Sequence, residues 1–105
     1  MTYKMFYSKN ALHDLEEIHI YIAENLYAPL TAENLVNKIK KEISAIAHSS
    51  NPYGYRKVYN YPGPREDIHR TIVKKYVIYF AVDRSNYTIE ILKIIHSSRN
   101  FIRYN

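Results

Sequence analysis

The run Tyr76 to Val82, YVIYFAV, is apolar at nearly every position, the pattern of a central strand covered on both faces. It ends a longer β-branched and aromatic stretch, Thr71 to Val82. A second such stretch, Tyr87 to Ile95, follows across Asp83-Arg84-Ser85-Asn86, which has turn chemistry. The spacing predicts a β-hairpin. Its second strand runs directly into His96, Ser97, Ser98 and Arg99, so a rigid sheet is expected to deliver an imidazole, two hydroxyls and a guanidinium to one rim.

The remaining chain is read outward from that hairpin. Tyr3, Met5 and Tyr7 alternate with Thr2, Lys4 and Phe6, as in a short strand. Ser8 is a helix cap, and Ala11, Leu12, Leu15, Ile18, Tyr21 and Ile22 follow at helical spacing, predicting a helix from about Lys9 to Asn25. Pro29 or Thr31 opens a second helix, whose stripe of Ala32, Leu35, Val36, Ile39, Ile43, Ile46 and Ala47 runs to about His48. The short link makes the two an antiparallel helical hairpin. From Ser49 to Asp67 the period disappears amid Pro52, Gly54, Pro62, Gly63 and Pro64; Val58 sits in a short extended piece, and Tyr53, Tyr55, Tyr59 and Tyr61 suit a segment wrapped over the sheet. Ile68 to Val73 adds a third antiparallel strand. The expected fold is α+β in the order β-α-α-β-β-β: an N-terminal strand, a helical hairpin covering one face, and a three-strand antiparallel meander.

Length and charge narrow the class. A chain of 105 residues suits one domain spanning 1–105, the absence of cysteine excludes disulfide frameworks and thiolate metal sites, and no apolar run reaches membrane-spanning length. A cytoplasmic protein with no membrane partner is expected. The net charge of +5 is unevenly spread: residues 1–50 carry five basic and six acidic side chains, residues 51–105 ten basic and four acidic. Such asymmetry favours a polyanionic or acidic partner. Glycine-rich phosphate loops and paired catalytic carboxylates are both absent from the sequence, which leaves nucleotide hydrolysis and glycosidic chemistry without support.

The order and spacing of several pieces together resemble the RelE/ParE superfamily of bacterial type II toxin–antitoxin toxins. These are Ser8 to Ile18, Tyr21-Ile22, the stripe of the second helix, Arg70 ahead of Tyr76-Val77-Ile78-Tyr79, and Ile91 to His96 with Arg99. The resemblance covers nearly the whole chain. It implies a cognate antitoxin, acidic and partly disordered when free, and a toxin–antitoxin hetero-oligomer. RelE-like members cut mRNA on the ribosome, and ParE-like members are best known for inhibiting DNA gyrase. RelE-like chains carry an arginine after the tyrosine of the third strand, where Val77 stands here, and the His96 to Arg99 ending resembles ParE-like chains. The resemblance therefore favours a ParE-like gyrase inhibitor.

If the chain is instead a metal-independent mRNA endonuclease, His96 is the candidate acid or base, Arg70 and Arg99 are phosphate clamps, and Tyr104 stacks or donates a proton. In either case Arg70, Lys74, Lys75, Lys93 and Arg99 are expected to bind, together with Arg56, Lys57 and Arg65, which interleave with tyrosines as in a nucleic-acid surface. No metal or other cofactor is expected. A purely structural Arg70, paired with Glu90 across the sheet, is the bland alternative, and His69 and His96 are candidates to meet across strands. A non-toxic nucleic-acid-binding or regulatory module is the remaining reading.

Overall fold

The computed structural model describes residues 2–99. Strand β1 (Lys4–Tyr7) leads into helix α1 (Lys9–Ile20), which continues as a π-helical segment (Tyr21–Asn25). Helix α2 (Pro29–His48) and a 3₁₀ turn (Pro52–Gly54) precede four strands, β2 (Arg56–Val58), β3 (Ile68–Val73), β4 (Tyr76–Asp83) and β5 (Thr88–His96). The strand order in the single sheet is β1-β5-β4-β3-β2, with β1 parallel to β5 and the other pairs antiparallel. The expected α+β order holds, with β2 as an additional edge strand.

Local chemistry accounts for the boundaries. Ser8 is extended and its hydroxyl accepts the Ala11 N–H at 3.0 Å, a cap typically worth about 1 kcal/mol. Pro29 opens α2, where its missing N–H costs nothing. Between the helices Tyr27 adopts a left-handed backbone with φ 54°. Lys74, first residue of the two-residue turn between β3 and β4, is likewise left-handed at φ 56°.

Both helices lie on one face of the sheet. Ala11, Leu15, Ile39, Ile43 and Ile46 pack there against Ile78, Phe80, Val82, Ile89, Ile91 and Ile94. The other face has a smaller cluster of Val58, Ile68, Val77, Tyr79 and Leu92, with Tyr61 folded over it at 5.5 Å between its ring and that of Tyr79. β4 is thus covered on both faces, and the tyrosine-rich segment does wrap the sheet. Two expected pairings fail. Glu90 is held by Arg65 at 2.7 Å, while Arg70 stands opposite Arg56 and Tyr79, in a different row of the sheet. His69 pairs with Phe80 whereas His96 pairs with Tyr76, four positions earlier on β4, so the two histidines do not meet.

Candidate functional site

A groove of about 600 Å³ lies between α1 with its π-helical continuation and the end of β5. His13, Glu17 and Tyr21 line it from the helical side, and His96, Ser98 and Arg99 with Tyr76 of β4 line it from the sheet side. The turn after β5 is tied to the turn before β4, since Ser97 N–H donates to the Lys75 carbonyl at 2.7 Å. Lys74 and Lys75 therefore stand beside His96 and Arg99 on one rim. Burial pushes the Tyr76 hydroxyl above its usual range, reinforced by Tyr21 and opposed by the nearby Arg99 charge.

His96 has a defined hydrogen-bonding state. Its Nδ1 receives the Ser98 backbone N–H at 3.1 Å and lies 2.8 Å from Ser98 Oγ. A backbone N–H only donates, so Nδ1 is the acceptor and the geometry assigns the ring proton to Nε2. The ring stands edge-on to Tyr76, with centroids 5.3 Å apart.

A second basic group occupies the face away from the helices. Arg56 and Arg70 are directly opposite on β2 and β3, an arrangement that costs stability through like-charge repulsion, and among the described residues neither forms an ion pair. Tyr79 is opposite Arg70, and burial first, then the charges around it, pushes the Tyr61 hydroxyl up to about 12. Residues 5–101 match the family described as the ParE toxin of the type II toxin–antitoxin system, parDE.

The chain belongs to the ParE toxin family.

Solved structures agree on the fold. The chromosomal ParDE toxin–antitoxin system of P. aeruginosa superposes with a TM-score of 0.73 at 20% identity, covering 90% of this chain and 96% of that one. The archaeal RelE–RelB complex of Pyrococcus horikoshii OT3 gives 0.64 at 15% identity, over 94% and 99% of the two chains. The RelBE2 complex of Mycobacterium tuberculosis gives 0.54 at 18%, over 91% and 99%. No curated protein matches the sequence.

In this ParE-family toxin the candidates divide into three sets. His96, Arg99, Lys74 and Lys75 share the rim; Arg56 and Arg70 share the face away from the helices; Lys57, Arg65 and Lys93 are engaged by carboxylates. Lys57 Nζ lies 2.9 Å from Asp67, and Lys93 Nζ lies 3.1 Å from Asp14. Asp67 also meets Arg84 at 3.3 Å and the buried His69 at 2.8 Å, whose other ring nitrogen is 2.8 Å from the Tyr55 carbonyl. Tyr104 lies outside the described residues.

Sequence reasoning missed Asp14 and Tyr76, and placed Ser98 on the rim without its bonds to His96. Asp14 left a trace: it lies three residues after Ala11 and four before Ile18, on the helical face that packs on the sheet, where a carboxylate needs a partner. The bonds of Ser98 to His96 Nδ1 left none, because they depend on a turn that only the end of β5 defines.

Proposed function

We propose that this ParE-family toxin arrests growth by inhibiting DNA gyrase through the rim of Lys74, Lys75, His96 and Arg99, and that a cognate antitoxin neutralises it. The hydrogen bonding of His96 carries this reading. The Nδ1 lone pair is engaged by Ser98, which leaves Nε2 as an N–H donor and favours a binding surface over a general base. Val77 supports it too: it is buried within β4 in the cluster on the face away from the helices, at the position where RelE-like chains carry an arginine. The antitoxin partner is supported by the family and by the neighbouring structures, which are themselves toxin–antitoxin complexes.

The test is a supercoiling assay with purified gyrase and toxin. Inhibition by the wild-type protein is expected, weakened tenfold or more by Arg99→Ala with Lys75→Ala, and relieved by the antitoxin. One observation favours a second reading: Arg56 and Arg70 are register partners on the face away from the helices and neither is paired by a carboxylate among the described residues, so two guanidinium groups are open to a phosphate there. In that case RNA incubated with the toxin and ribosomes is cut to leave 2′,3′-cyclic phosphate ends while gyrase is unaffected. Expression without any growth defect would instead point to a regulatory module.

A further inference from the structure

β1 accompanies β5 only as far as Ile91, opposite Tyr7. Beyond that point no strand among the described residues covers this edge of the sheet, and α1 takes its place. The register of β5 also breaks here: Tyr79 pairs with Lys93 and Phe80 with Ile91, so Leu92 is the extra residue of a bulge. A bulge bends its strand and leaves backbone groups outside the ladder, and these must find partners elsewhere.

Two side chains of the α1 region supply them. Ser8 Oγ donates to the Leu92 carbonyl at 3.1 Å while accepting from Ala11 N–H. Asp14 Oδ2 accepts the Ile94 N–H at 2.9 Å, and its Oδ1 holds Lys93 Nζ at 3.1 Å. The Asp14 side chain is only 13% exposed, so these bonds are made with little competition from water. Ile95 alone separates Ile94 from His96, and the Ser98 and Arg99 turn follows at once.

We infer that Asp14 is a positioning residue for the rim. Acting through the Ile94 N–H, its carboxylate sets the direction in which β5 leaves the bulge, and with it the places of His96, Ser98 and Arg99. The inference rests on the proposed role of that rim in target binding. It assigns the acidic side chain on α1 a function that requires no contact with the target.

The experiment compares the full-length wild type with Asp14→Ala, Asp14→Asn and Asp14→Glu, reading the ring ¹⁵N signals of His96 by NMR and the growth arrest on induction. In Asp14→Ala the His96 signals are expected to move from the fixed Nε2–H pattern toward a mixture of tautomers, with growth arrest reduced at least tenfold. Asp14→Asn, which keeps an acceptor for Ile94, is expected to restore most of both. If the alanine variant does not fold, Asp14→Glu decides, since its carboxylate is displaced by one methylene and should shift the His96 signals. Wild-type His96 signals in folded Asp14→Ala or, where that variant does not fold, in Asp14→Glu would overturn the inference. Shifted signals with undiminished arrest would uphold the hold of Asp14 on β5 and overturn the target role of the rim, a failure that Arg99→Ala would show independently.

Discussion

Several side chains serve two partners at once, and their removal should cost more than one contact. Ser8 caps α1 and also bonds the β5 bulge, so Ser8→Ala is expected to destabilise the fold by about 1–2 kcal/mol, read from the urea midpoint. An effect of a few tenths would show that neither the cap nor the bond to Leu92 contributes its usual share. Asp67 gathers Lys57, His69 and Arg84. Burial opposes its ionisation, but the hydrogen bonds and charges of Lys57 and His69 outweigh it and hold the carboxyl below its usual range. Its folded pKa is thus below the unfolded value of about 3.9, so its contribution is present above that pH and is lost as pH falls through the folded value. Asp67→Asn is expected to be less stable than wild type at pH 6 and to show a shallower loss of stability below about pH 4 in urea unfolding at stepped pH.

Elements differ in how much of their position is encoded locally. β4 was legible because seven consecutive apolar residues, Tyr76 to Val82, fit only a doubly covered strand, and α2 because Pro29 and an unbroken stripe mark its start and face. β2 was only half visible: three residues between a 3₁₀ turn and the Pro62 to Pro64 loop leave no period to read, and pairing with β3 creates it. The bulge at Leu92 was hidden for the same reason, since it is a property of two strands in register. The π-helical segment preserves the expected span to Asn25 while changing the hydrogen-bond pattern, which periodicity does not reveal. Just beyond it Tyr27 is left-handed and 88% exposed, so its side chain gains almost no burial for a strained backbone. Tyr27→Gly is expected to stabilise the protein by about 0.5–1 kcal/mol, seen as a melting temperature a few degrees higher. A lower melting temperature would mean that the tyrosine ring contributes to the fold.

At the scale of the molecule the charge asymmetry resolves into two basic surfaces at different places on one sheet. Sequence alone grouped all eight basic candidates together; the strand register separates Lys74, Lys75 and Arg99 from Arg56 and Arg70, and carboxylates engage Lys57, Arg65 and Lys93. The two surfaces should therefore be separable by mutation. Lys75→Ala with Arg99→Ala is expected to abolish growth arrest, whereas Arg56→Ala is expected to leave arrest intact and to stabilise the fold by a few tenths of a kcal/mol by relieving its repulsion with Arg70. Loss of arrest in Arg56→Ala would move the functional surface to the face away from the helices. The central claim, a gyrase-directed toxin, is tested most directly by inducing the protein in bacteria and pulse-labelling DNA and protein synthesis in parallel over the first minutes. DNA synthesis should fall first, with a DNA-damage response and protein synthesis initially intact; an immediate stop in protein synthesis with cleaved mRNA would contradict the account.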